Sequence, residues 1–328
     1  MLSFWQDYPE IQNKLRVTQE LMVDRLKISN HDIKTALEAM ALQGGKMVRP
    51  ALFYLFAGLT AKASDEKLWQ QLIKIAASLE ILHSATLIHD DIIDDSPLRR
   101  GIPSIEAQFG KDVAVYTGDF TYTVYFELLI ETMAGTPFLE KNAKSMKKIL
   151  QGELTQMQSA FETTISIRKY MKAISGKTAE LLSLSCLEGA YFSGADQKTQ
   201  HLAKRIGRAI GLAFQIYDDL LNFTVGLDEE NKPILTDVRL GIFTLPLLIA
   251  RENNPEKILP YLQAPEKLTR EACLELSDLV AENGGMTGAL LIADGLTQKA
   301  LADIEKLPDG SNKVLLTQAT QALLERKY

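Results

Sequence analysis

The sequence predicts an all-α protein, and three observations carry that expectation. Apolar residues recur at three- and four-residue spacing almost throughout, the pattern of helices with one buried stripe. Convincing runs of alternating apolar and polar residues, which would read as strands, are absent. The periodic segments are punctuated by glycine and proline clusters, "QGGKMVRP", "SPLRRGIP", "MAGTPF", "EENKPI" and "LPDG".

Taken in order, the first long periodic segment runs from Leu68 to Ile93, in "LWQQLIKIAASLEILHSATLIHDDIID". "MKKILQGELTQMQSAF", "KTAELLSLSCLEGAYF" and "HLAKRIGRAIGLAFQIYDDLLNF" repeat the pattern. Roughly ten or more helices fit the chain. No Gly/Ser or Pro-rich linker and no low-complexity tract marks a boundary, so residues 1–328 are expected to form one domain.

Composition narrows the function. A net charge of −6 and a pI near 5.4 argue against a nucleic-acid partner. Cys186 and Cys273 are too few and too far apart for a disulfide framework or a zinc site. The start shows no apolar run preceded by basic residues, so no signal peptide is expected. No stretch approaches about 18 consecutive apolar residues, so no membrane span is expected and a cytoplasmic location is the default.

The charges are placed unusually. Asp90, Asp91, Asp94 and Asp95 crowd into six residues of an otherwise apolar segment. On a helix they share one side, where like charges at i,i+4 destabilise by roughly 0.2–0.5 kcal/mol per pair. Acids late in a helix also meet the unfavourable end of its dipole. Such a local cost points to a compensating cation, although a solvated acidic face remains the plainer alternative for this cluster alone. A second cluster, "YDDLLN" at Tyr217 to Asn222, echoes the first and places Gln215, Asp218, Asp219 and Asn222 on one face. Carboxylate oxygens suit hard divalent ions, and magnesium takes one or two carboxylates plus water and substrate phosphates. An EF-hand is excluded by the spacing and the missing loop glycine.

Basic residues recur beside these acids or beside glycines: Lys46, Arg49, Arg99, Arg100, Lys177 and Lys232. Guanidinium forks and lysine point charges suit phosphate oxygens. Acids, metal and bases together imply a substrate with a condensed phosphate. "GGKMVRP" lacks the P-loop spacing, so a nucleotide is not indicated.

With these residues in place, the chain resembles the trans-isoprenyl diphosphate synthases, the polyprenyl synthetase family, in its long-chain, heptaprenyl-like branch. "GGKMVRP", "HDDIIDDSPLRRGIP", "YTGDF", "GELTQ", "KTA", "FQIYDDLLN", "LPDG" and the closing "ERKY" fall in the family's order over almost the whole chain. The resemblance implies a single large helical bundle of the isoprenoid synthase type around a central cavity. It implies magnesium, three ions, held by Asp90 and Asp94 on one side and Asp218 on the other, with Asp91 and Asp219 supporting through water. It gives Arg99, Lys177 and Lys232 to the allylic diphosphate. Lys46, Arg49, His83 and Arg100 go to isopentenyl diphosphate. Spacing adds that His83 lies two turns before Asp90 on the same face. Thr178, Gln215 and the Lys177 carbonyl would stabilise an allylic cation, and the basic C-terminus would help close the site. The implied partners are the two diphosphate substrates and a second subunit, a copy of the chain or a small dissimilar one. The implied setting is isoprenoid or quinone side-chain biosynthesis.

Ala85 and Thr86 stand five and four residues before Asp90, with Leu82 and Ser78 deeper. In short-chain members a large aromatic often stands there. The small residues here leave the way open for a long product. Two departures bear on activity: Asn222 replaces a usual aspartate, and Ile242 stands where many members carry lysine. They keep open a weakly active subunit that needs a partner. A class I terpene cyclase is a further alternative, opposed by the isopentenyl-site residues.

Overall fold

The computed structural model describes residues 2–43, 45–60, 65–224 and 234–324. The fold is all-α: helices account for nearly all of its regular structure, and the described strands are two of two residues each. The chain divides into two compact units. One comprises Met1–Ala143, Ser185–Ala203 and Pro308–Leu315, the other Lys144–Leu184, Lys204–Leu307 and Leu316–Tyr328.

The first unit is organised around the Glu66–Ile93 helix, which packs against the helices Lys111–Met133, Pro9–Arg25 and Val48–Ala57. It starts where the Asp65 side chain accepts a hydrogen bond from the Leu68 amide, 3.0 Å away. Of the described helices it alone is long and apolar enough to cross a membrane, although no apolar run in the sequence suggested one. Its burial explains the composition. In its most apolar window, 67% lies inside the protein, and a helix enclosed on most sides is apolar on most sides.

The helix ends at Ile93, with Asp94 as its cap, earlier than a continuous acidic face requires. Asp95 already has a left-handed φ of 46°. The expected single face of four aspartates therefore resolves into Asp90 and Asp91 on the helix, Asp94 at its cap and Asp95 in the turn beyond. Continuing the helix would keep these carboxylates stacked at i,i+4, and their repulsion favours stopping there.

A short hairpin follows. Leu98–Arg99 pairs antiparallel with Ile102–Pro103, and the two turn residues, Arg100 and Gly101, have φ of 55° and 83°. Two successive positive φ values are what a tight two-residue hairpin turn needs. Strands this short leave no alternation to read in a sequence.

In the second unit the Ile167–Ile174 helix widens into a π-helical turn, Ser175–Ala179, before the chain continues into Glu180–Phe192. The turn is built on a close backbone crossing. A Cβ on Gly176 would lie 2.6 Å from the Lys148 carbonyl oxygen, and one on Gly152 would lie 2.5 Å from the Lys177 nitrogen. Both glycines are therefore required by contact. The Gln197–Leu221 helix packs beside this turn, with Gly211 against Ala179.

Candidate active site

The two acidic motifs end their helices in the same way. The Asp94 amide donates to the Asp90 carbonyl oxygen at 2.9 Å, and the Asn222 amide donates to the Asp218 carbonyl oxygen at 3.3 Å. In each, the first aspartate sits in the last helical turn and the residue four positions on closes it. Asp90 and Asp218 are half-buried and Asp94 is exposed. Asp91 and Asp219 are each 4% exposed and turned into protein. Asp95 pairs with Lys111 at 2.5 Å.

The hairpin separates the two arginines. Arg99 turns back to Asp91, donating from Nε at 2.8 Å and from a second guanidinium nitrogen to the same oxygen. Burial pushes the Asp91 carboxyl up, and the Arg99 bond opposes that shift. Arg100, at the turn corner, lies against Gly45: a Cβ there would be 3.0 Å from its Cζ.

Arg100, Arg49 and His83 share one electrostatic neighbourhood centred on a residue the sequence reading missed, Glu80. Glu80 is 3% exposed, three residues before His83 on the same helix face. Burial raises the Glu80 carboxyl, and Arg49 and Arg100 pull it down. Burial lowers both guanidinium groups, against the attraction of Glu80. His83 is held well below the usual imidazole range by lost solvation and by Arg49, Arg100 and Arg99, so it is neutral near pH 7. Glu80 Oε2 and Arg49 Nε are enclosed without a hydrogen-bond partner. Buried polar groups left without partners are costly to the fold. The available signal was a lone acid in the apolar run "SLEILH". Lys46, exposed, lies 4.7 Å over the Phe4 ring.

In the second unit, Lys177 Nζ pairs with Glu153 Oε2 at 3.0 Å, which gives the glutamate of "GELTQ" a contact. The π turn carries Thr178, whose hydroxyl donates to Gln215 Oε1 at 2.6 Å. Gln215 Nε2 donates to Asp219 Oδ1 at 2.9 Å, and the Tyr170 hydroxyl donates to Asp219 Oδ2. Burial pushes the Asp219 carboxyl up to about 7, against the Tyr170 and Gln215 hydrogen bonds. Tyr170 also escaped the sequence reading, because a tyrosine in an amphipathic helix carries no chemical signature of its own. Ile242 is half-buried just after Gly241, its amide donating to the Asp237 carbonyl oxygen at 2.8 Å. Lys232 and the closing "ERKY" lie outside the described residues.

Ala85, Leu82 and Ser78 have no exposed surface, whereas Thr86 is half-buried, its hydroxyl donating to the His83 carbonyl oxygen. His89 stacks on Tyr122 and fills the space over Gly118, where a Cβ would fall 2.3 Å from the ring. That contact accounts for the glycine of "YTGDF".

Among the described residues no three His, Cys, Asp or Glu side chains converge closely enough to hold a metal ion by themselves. Asp90 and Asp94 in the first unit, and Asp218 in the second, offer oxygen donors only. Oxygen donors suit a hard divalent ion whose shell is completed by water and substrate phosphate.

Comparison with known proteins agrees with this chemistry. The polyprenyl synthetase family model matches residues 30–275. The chain is 31% identical to heptaprenyl diphosphate synthase component 2 of Bacillus subtilis (strain 168), over 87% of this chain and 80% of that protein. Geranylgeranyl pyrophosphate synthase from Lactobacillus brevis superposes with a TM-score of 0.93 at 37% identity, covering 99% of this chain and 100% of that one. A polyprenyl synthase from Caulobacter crescentus, solved with calcium and isoprenyl diphosphate, superposes with a TM-score of 0.86 at 28% identity, covering 97% and 96%. The chain belongs to the polyprenyl synthetase family, and it is a trans-prenyltransferase that condenses isopentenyl diphosphate with an allylic diphosphate to give a trans-polyprenyl diphosphate.

Proposed function

We propose that the chain makes a long-chain, heptaprenyl-like diphosphate from farnesyl or geranylgeranyl diphosphate, and that all 328 residues work as one catalytic domain. The observation that carries the assignment of roles is the arrangement at the end of the Glu66–Ile93 helix. Solvent-reaching Asp90 and Asp94 close the helix that also carries His83, whose electrostatic surroundings are Arg49 and Arg100, and Arg49 Nε is buried there without a partner.

In this assignment Asp90, Asp94 and Asp218 hold magnesium, three ions, with Asp91 and Asp219 acting through water or neighbouring residues. When bound, the metal supplies Lewis-acid stabilisation of the departing diphosphate. Arg99, Lys177 and Lys232 hold the allylic diphosphate and neutralise charge as its carbon–oxygen bond breaks. Lys46, Arg49, Arg100 and neutral His83 orient isopentenyl diphosphate, His83 as a hydrogen-bonding group rather than a charge. Thr178, Gln215 and the Lys177 carbonyl turn dipoles toward the allylic cation, where a basic side chain would capture it. Widening of the backbone at Ser175–Ala179 frees carbonyl groups from regular helical pairing, in keeping with that role.

Small residues at Ala85 and Thr86 support the long product, as does the likeness to the Bacillus heptaprenyl enzyme component. A second, shorter-product reading is favoured by the Lactobacillus geranylgeranyl synthase, at higher identity. The chain acts in the cytoplasm as a dimer, with itself or with a small second subunit. Exposed Phe126 and Ile130, one turn apart on the Lys111–Met133 helix, support association.

Purified chain given farnesyl diphosphate, radiolabelled isopentenyl diphosphate and magnesium tests the assignment. Label should enter an extractable prenyl product, and chelation should abolish it. Turnover that appears only when a second protein is added would favour the two-component form. Consumption of allylic diphosphate without any need for isopentenyl diphosphate would favour a cyclase.

A further inference from the structure

We infer that Asp219 and Tyr170 are positioning residues that set the direction of a hydrogen-bond chain ending at Thr178. This rests on the reading above, in which Thr178 and Gln215 face the allylic cation.

Both oxygens of the Asp219 carboxyl act as acceptors here, each taking a hydrogen bond from a neighbouring side chain. Asp219 therefore captures the NH2 end of Gln215 on Oδ1, while its Oδ2 accepts from the Tyr170 hydroxyl. The Gln215 amide then has one orientation, with Oε1 toward Thr178, and the Thr178 hydroxyl spends its single proton on that oxygen. Every proton in the chain points toward Asp219. The far end, Thr178, is left with lone pairs alone, the polarity an adjacent carbocation needs. Both Asp219 oxygens are engaged and the residue is 4% exposed, so its geometry serves orientation and not direct coordination of a metal. Tyr170, 5% exposed, acts through Asp219.

The isosteric change Asp219→Asn reverses the chain. The Tyr170 hydroxyl holds the asparagine oxygen, so the asparagine NH2 faces Gln215. The Gln215 amide must then turn, donating its own NH2 to Thr178 and pointing the Thr178 proton toward the cation. Removing the tyrosine hydroxyl releases the asparagine to turn its oxygen back to Gln215.

The test is turnover of farnesyl and isopentenyl diphosphates by D219N, Y170F and the D219N/Y170F double variant across a magnesium titration, with folding checked by thermal melting. D219N should lower kcat about 100-fold, the scale of a misdirected preorganised dipole. Its half-saturating magnesium should be unchanged, and more of the allylic substrate should be released as alcohol. The double variant should recover about 10-fold of that loss, a coupling that simple loss of structure does not produce. Wild-type kcat in D219N would overturn the proposal. So would a D219N defect cured by excess magnesium, or a double variant no better than D219N. If D219N does not fold, Y170F decides: a kcat loss of about 5-fold or more at unchanged magnesium dependence supports the proposal, and full activity overturns it. Thr178→Val separates the two levels. Full activity there would remove the underlying reading, whereas a loss in T178V with none in D219N removes only the positioning role.

Discussion

Arg99 donates from Nε to Asp91 Oδ1 at 2.8 Å, so the first arginine of the "RRG" turn is bound back to the acidic helix end it follows. The hairpin is what makes this possible, because it sends Arg99 and Arg100 in different directions. The acids and bases of "HDDIIDDSPLRRG" are thus one folded object.

Breaking that pair should be felt in stability as well as in binding. Arg99→Met leaves buried Asp91 without its partner, a change worth about 3 kcal/mol for fully buried pairs. Arg99 retains 29% side-chain exposure, so about 2 kcal/mol is expected after solvent screening. Urea unfolding should show it, together with a raised KM for the allylic substrate. An unchanged midpoint would mean that Asp91 is not held by Arg99 in solution.

Glu80 should control only one of the two substrates. It supplies the counter-charge for Arg49 and Arg100, and Arg49 Nε has no hydrogen bond to hold it otherwise. Glu80→Gln is expected to raise the KM for isopentenyl diphosphate about 10-fold, equivalent to about 1.4 kcal/mol, with the allylic KM unchanged. Equal effects on both substrates would contradict that selectivity.

The positions before Asp90 should separate into two kinds. Thr86 is half-buried, so Thr86→Phe should shorten the product with little loss of stability. Ala85 has no exposed surface, so Ala85→Phe must displace neighbours, at a cost of about 1–3 kcal/mol for overpacking, and lower the melting temperature. Product mass and thermal melting of the two variants check this. An unchanged long product from both would exclude these positions from the chain-length wall.

Stability should fall with pH through a group remote from the chemistry. Glu188 is fully buried, and burial pushes its carboxyl up to about 8, against a hydrogen bond from Asn142. A folded value above the unfolded one gives stability that is complete below the ordinary glutamate range and is lost as pH rises toward 8. The slope reaches at most about 1.4 kcal/mol per pH unit for one proton. Urea midpoints of wild type and Glu188→Gln between pH 5 and 8.5 should diverge, with the variant flatter. Parallel curves would show that Glu188 ionises without penalty.

Much of this was legible in the sequence because it depends on local pattern. Helical periodicity located the long helices, and the ordered motifs named the family. What escaped depends on partners far away in sequence. Glu80 becomes meaningful only when Arg49 and Arg100 are folded around it. Tyr170 and Asp219 meet across 49 positions. Its spacing puts Asp95 on a helical face, yet the helix stops before it. The Leu98–Arg99 and Ile102–Pro103 strands are too short to show alternation, and Arg-Gly is not a typical hairpin signal.

The product assignment is tested most directly by the mass of the prenyl product formed by the purified chain with farnesyl diphosphate, excess isopentenyl diphosphate and magnesium. A magnesium-dependent, long-chain, heptaprenyl-like diphosphate is the predicted result. A product that stops at geranylgeranyl diphosphate would contradict the long-chain assignment. No isopentenyl incorporation, with or without a second subunit, would contradict the residue roles proposed for both substrates.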